Sequence, residues 1–170
     1  IFGDAAMADR LEMLAYNANA GAHTEDYWAH QYDQQANQVL CSIAKREWST
    51  NKDNSNLFGL EPNYGCCTAN MHQGWPKFVS HLWMATLDGG LAVTAYGPSV
   101  VTAKVAGGKT VTIREETDYP FRGKVKITFE QADGEDFPLH LRWPAWSSGI
   151  GLKVNGKEAV QRETFKPGSF

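Results

Sequence analysis

Cys66 and Cys67 stand side by side, and Cys41 is the third cysteine of the chain. An odd count with two adjacent thiols is a poor disulfide framework. Consecutive Cα atoms, about 3.8 Å apart, are also too close for a relaxed bridge between neighbours. The pair therefore serves burial, a soft metal or reactivity. Gly65 permits the sharp turn that would aim both sulfurs at one cation. A helix N-terminus at this point would lower both thiol pKa values, because its unsatisfied N–H groups favour thiolate. Burial is the competing account, since free cysteine is among the most buried residue types. A zinc site needs about four ligands, and only these two are evident. His23, His30, His72, His81 and His140 are scattered without ligand spacing. His72 is the nearest in sequence, placed either at the mouth of a site or as a satisfied helix histidine.

Other residues offer less. Glu61 is near enough in sequence to act as a local acid or base, although a turn carboxylate before Pro62 accounts for it as well. Residues 30–38 are rich in amides and include Tyr32, and both types are natural partners for sugar hydroxyls; a solvated, self-bonded loop is the alternative. Gln73 and Trp75 would line the same pocket as the cysteines, or Trp75 would join the apolar stripe of a helix. Asn70 is a residue type that bonds loop backbone. Trp143 and Trp146 flank Pro144 at a strand end and suit packing between sheets or domains.

The elements that must position these groups fall into two parts. Residues 4–19 predict a helix capped by Asp4, with Met7, Leu11, Leu14, Ala15 and Ala18 on its inward face. Residues 22–65 show little periodicity beyond short extended pieces near 27–32 and 39–43. Trp28, Tyr32, Trp48 and Phe58 predict that this stretch is an ordered, packed loop. A second helix is predicted from Cys67 to Thr86, with a kink or a fresh start at Pro76. Six short β-branched runs follow, at 91–96, 100–105, 110–116, 123–130, 137–142 and 151–154. Gly107-Gly108 and Asn155-Gly156 are hairpin signals. The class is α+β: a helical part over 1–88 and an antiparallel β part over 89–170, divided at Asp88-Gly89-Gly90.

Composition narrows the field of functions. The chain has 170 residues, 42% hydrophobic and 21% charged, which is normal for a globular protein with a real core. The net charge of −3 comes without a dense basic run, so nucleic acid and membrane surfaces are not expected partners. No apolar stretch approaches the roughly 20 residues of a bilayer span. Six tryptophans are many for this size and suit carbohydrate stacking as well as core packing.

The segment Gly65-Cys66-Cys67-Thr68-Ala69-Asn70, with its flanks over 61–78, resembles the Cys-Cys-x-x-Asn segment of the β-L-arabinofuranosidase family, glycoside hydrolase family 127 and its relatives. Ala8-Asp9-Arg10-Leu11-Glu12 and Ala15-Tyr16-Asn17-Ala18 resemble a helix of that family. Thr117-Asp118-Tyr119-Pro120-Phe121, residues 137–146 and Val154-Asn155-Gly156 resemble its β-sandwich. The resemblance implies the C-terminal part of an (α/α)6 barrel followed by an antiparallel β-sandwich. It implies retaining hydrolysis of a plant oligosaccharide or polysaccharide, with Cys66 as nucleophile. Cys66 and Cys67 would both be zinc ligands, and a substrate-contacting tyrosine of the family falls near Tyr32.

The family's Glu-x-Cys ligand motif does not occur before Cys66. With the opening Ile1-Phe2-Gly3-Asp4 and the ending at Phe170, this reads as an internal segment that is inactive alone. Two other readings stand beside it: a catalytically silent domain stabilised by zinc, and a vicinal-dithiol metal or redox module. Localisation is open, because free thiols favour a reducing compartment but zinc protects thiolates outside one.

Overall fold

A computed structural model describes residues 3–35, 38, 40–59, 65–132, 134, 136–159 and 166–170. The chain divides into two compact units, one formed by the stretch up to Glu12 with 79–170, the other by 13–78.

Helix α1 (Ala5–Met13) starts where expected: the Asp4 carboxylate accepts the Ala6 N–H at 2.9 Å. It passes into a π-helical stretch over Leu14–Asn19. Its inward face is not the expected one. Ala5, Ala8, Glu12 and Ala15 are buried, whereas Met7, Leu11 and Leu14 are exposed. Hydrophobic periodicity is blind to ion pairing, and here Arg142 decides which face turns in. Arg142 has no exposed surface, and its guanidinium ion-pairs with both Asp9 and Glu12. Its Nε donates to the Thr94 carbonyl at 2.7 Å. The Tyr119 hydroxyl donates to Glu12, as does Trp146 Nε1 at 3.2 Å. Three stretches that the sequence shows as separate motifs thus meet in one buried polar knot.

The strands follow the predicted runs closely. Strands β1 (Trp83–Ala85), β2 (Leu91–Val93) and β6 (Leu139–Leu141) make one sheet in the order β1-β2-β6. Strands β3 (Ser99–Lys104), β4 (Thr110–Thr117) and β5 (Val125–Ala132) make a second, antiparallel throughout. The short pair β7 (Lys153–Val154) and β8 (Lys157–Glu158) closes through Asn155 and Gly156, both at positive φ as a type I′ turn requires. Leu91, Val105, Val111 and Ile113 form an apolar core that Trp83, Val101, Ile127 and Leu139 join, so side chains from both three-stranded sheets share it. The fold is mixed α+β.

Two expectations need correction. The wholly antiparallel β part contains one parallel pair, β2 with β6. These strands are joined through all of β3–β5, and local sequence carries no sign of which way so distant a partner runs. The single helix over 67–86 is instead α2 (Gly65–Met71), α3 (Gly74–Val79) and then β1. Pro76 lies in the first turn of α3, where its missing N–H is tolerated, which fits the fresh start. Trp83 leaves the helical pattern because it pairs with Val93 and donates through its indole to Ser99 Oγ at 3.0 Å.

The long loop is ordered, as expected, but polar contacts hold it. Trp28, Trp48 and Phe58 are exposed, and Trp28 keeps 75% of its surface open. Among its described residues the buried ones are Ala22, Gln31, Ser55 and Asn56. The Asp33 carboxylate accepts from Ser49 Oγ at 2.9 Å, Ser55 Oγ at 2.7 Å and the Asn51 amide at 3.0 Å. Gln31 Nε2 and the Cys41 thiol both donate to the Asn56 carbonyl, at 2.6 and 2.8 Å. Among the described residues of 22–59 only isolated bridges form, His23 with His30 and His30 with Gly59. Tyr27, expected in an extended piece, sits at φ +59°. Val39 lies outside the described residues.

Candidate functional site

Tyr32 is placed by its neighbours. The His30 and Gly59 backbones exchange two hydrogen bonds of 3.1 Å, Gln31 N–H donates to the Ala22 carbonyl at 2.9 Å, and Asp33 N–H donates to the Ser55 carbonyl at 2.8 Å. With both flanking residues anchored, the Tyr32 side chain has little backbone freedom. Its hydroxyl lies within hydrogen-bonding reach of the Cys67 sulfur. The structure thus brings together the three residues singled out from the sequence, Tyr32, Cys66 and Cys67, within the 13–78 unit. Glu61 lies outside the described residues.

The cysteines occupy the first turn of α2, with Cys66 exposed and Cys67 half-buried. Their sulfurs are 3.5 Å apart. The Cys67 thiol is pushed above its ordinary pKa by its hydrogen bond with Cys66, then by burial and the charge of Cys66, with Tyr32 opposing. The Tyr32 phenol is pushed up too, first by the charge of Cys67 and then by the hydrogen bond between them. The lowering expected for both thiols at a helix N-terminus therefore does not hold for Cys67.

The thiol pair fits half of a zinc site. Tetrahedral Zn–S bonds of about 2.3 Å place two sulfurs roughly 3.8 Å apart, close to the separation seen. Among the described residues no third histidine, cysteine or carboxylate joins them in a metal-binding group, and His72 stays exposed outside such a set.

Asn70 and Gln73 complete the neighbourhood. Asn70 Nδ2 donates to the Cys66 carbonyl at 2.6 Å, and Gln73 Nε2 donates to Asn70 Oδ1 at 2.9 Å. Gln73 thus serves this helix. Trp75 packs with Tyr16 and Phe78, at ring separations of 6.2 and 6.0 Å, so its role is core packing. In the other unit, Trp146 tilts against Tyr119 at 6.4 Å, and Trp143 bridges to Ser169. The Arg142 knot and the buried Glu115 on β4 carried no sequence signal beyond their positions in recognisable segments. No helix among the described residues is long and apolar enough to cross a membrane.

No protein of curated function matches the chain. A solved structure described as a glycoside hydrolase aligns with TM-score 0.78 at 21% identity, over 98% of this chain and 26% of its own. A GH127 β-L-arabinofuranosidase from Geobacillus stearothermophilus T6 aligns with TM-score 0.72 at 23% identity, over 97% of this chain and 25% of its own. The chain therefore spans about a quarter of the length of these two structures, and at such identities the likeness is one of fold. Residues 90–167 match the family model described as the beta-L-arabinofuranosidase, GH127 middle domain. That segment, a little under half of the chain, is similar to the middle domain of the GH127 β-L-arabinofuranosidases.

Proposed function

We propose that the chain is part of a retaining glycoside hydrolase acting on β-L-arabinofuranosides or related plant glycans, with Cys66 as the nucleophile. The observation that carries this reading is the GH127 match over residues 90–167, directly downstream of two thiols held 3.5 Å apart. Residues 1–88 then belong to an (α/α)6 barrel, and 89–170 to a β-sandwich. Zinc bound to Cys66 and Cys67 would keep both sulfurs as thiolates at neutral pH. The exposed Cys66 sulfur attacks the anomeric carbon, and a C–S bond forms as the glycosidic C–O bond breaks. The leaving oxygen takes a proton from an acid supplied by the longer protein. Water then attacks the same carbon and gives its proton to the conjugate base of that acid, the C–S bond breaks, and the thiolate returns, so two inversions retain configuration. Tyr32, fixed by its anchored neighbours, orients Cys67 through its hydroxyl and borders the sugar site.

The test is the longer protein carrying this chain, assayed with an aryl β-L-arabinofuranoside and for bound zinc. Wild type should turn over and Cys66→Ala should lose at least about 10³-fold in kcat/KM. Retained turnover in Cys66→Ala, or no turnover in zinc-loaded wild type, overturns the reading. The exposure of Cys66 favours one alternative, a vicinal-dithiol metal or redox module. A zinc-loaded, inactive wild type whose thiols oxidise readily would point there.

A further inference from the structure

The two hydrogen bonds beside the cysteines explain why an amide stands four residues after the first thiol. The Asn70 side chain reaches back one turn to the Cys66 carbonyl at 2.6 Å. An amide can present either its oxygen or its nitrogen, and only the nitrogen can donate there. Gln73 settles the choice: its Nε2 donates to Asn70 Oδ1 at 2.9 Å, which turns the Asn70 nitrogen toward Cys66. Gln73 is itself tied down, because its N–H donates to the Asn70 carbonyl at 3.0 Å. The relay Gln73–Asn70–Cys66 thus runs from the turn after α2 back into the helix and ends on the residue whose sulfur lies 3.5 Å from that of Cys67. A seven-residue helix has little cooperativity of its own to hold its first turn.

We infer that Asn70, oriented by Gln73, is a positioning residue that clamps the first turn of α2 so that the Cys66 and Cys67 sulfurs converge on one electrophile or metal. This deepens the proposed function, because it assigns the residue that aims the nucleophile. It does not depend on turnover, since the convergence of two thiols can be read directly.

The probe is phenylarsine oxide on the chain as it stands. A trivalent arsenical captures two converging thiols, forming two As–S bonds with loss of one water, and holds a single thiol such as Cys41 far more weakly. Wild type should bind one equivalent across Cys66 and Cys67. Asn70→Leu should weaken capture about fivefold, the equivalent of one neutral hydrogen bond. Asn70→Ser should restore most of it, because a serine hydroxyl can donate to the carbonyl one turn back. Gln73→Glu, which cannot donate to Asn70 Oδ1, should weaken it in the same direction by a smaller factor. All three should melt within a few degrees of wild type. Unchanged capture in Asn70→Leu, or a loss in Asn70→Ser as large as in Asn70→Leu, overturns the inference. If Asn70→Leu melts early, Gln73→Glu decides, and unchanged capture there overturns it. A clamp that passes while the longer protein shows no glycosidase turnover would remove the hydrolase reading and leave the clamp standing.

Discussion

Replacing Arg142 by methionine tests whether the buried knot decides the orientation of α1. The guanidinium is fully buried and, among the described residues, is the only cation paired with Asp9 and Glu12, whose side chains are 15% and 7% exposed. Methionine keeps much of the stem volume but strands two carboxylates and frees the Thr94 carbonyl, which accepts from Arg142 Nε at 2.7 Å. Removing one partner of a buried ion pair costs about 3–5 kcal/mol, most of it from the uncompensated charge left behind. That is a large share of a typical domain stability of about 5–15 kcal/mol. In a unit of this size it corresponds to a fall of roughly 12–40 °C in Tm. Adding Glu12→Gln to Arg142→Met removes one stranded charge, and Oε1 of the amide can still accept from Tyr119 and Trp146. The double variant should recover about half of the loss, a coupling that a mere packing defect would not show. Urea unfolding followed by far-UV circular dichroism reads both numbers. A cost below about 1 kcal/mol for Arg142→Met, or no recovery in the double variant, would refute the reasoning.

Glu115 gives the pH dependence. It is 2% exposed, it accepts the Gly97 N–H at 3.1 Å through Oε1, and burial pushes its pKa from 4.5 up to about 7. The folded value lies above the unfolded one, so its contribution to stability is full below pH 4.5 and is lost as pH rises through 7. The loss is on the order of 3 kcal/mol. Glu115→Gln should therefore be the more stable protein at pH 8 and should flatten the stability profile between pH 4.5 and 7, measured by urea midpoints. Gly90→Ala should lose about 1–3 kcal/mol in the same measurement, because the added Cβ would lie 2.1 Å from the Pro138 carbonyl oxygen. A wild-type midpoint there would mean that the contact between the β1–β2 turn and Pro138 yields freely.

Much of the local structure was legible in the sequence because it is set by neighbours. The Asp4 cap, the Asn155-Gly156 turn and the inward alternation of Val111 and Ile113 along β4 are dictated by dihedral preference, turn chemistry and a period of two. The candidate site was legible in part. The type and adjacency of Cys66 and Cys67, and the amide four residues on, are sequence facts.

Tertiary structure alone decided the rest. Glu12 turns inward and Met7 outward because the cation that neutralises Glu12 lies 130 residues further along the chain. Strand β2 runs parallel to β6 because the intervening hairpins return the chain in that sense. Trp28 remains exposed because Asp33, Gln31 and Asn56 hold the long loop by hydrogen bonds, so its order needed no aromatic core. Tyr32 meets Cys67 only after the backbone on either side of it has been pinned to Ala22 and Ser55. In each case the deciding partner is remote in sequence, and no local preference encodes which remote group a charge, a strand edge or a hydroxyl will find.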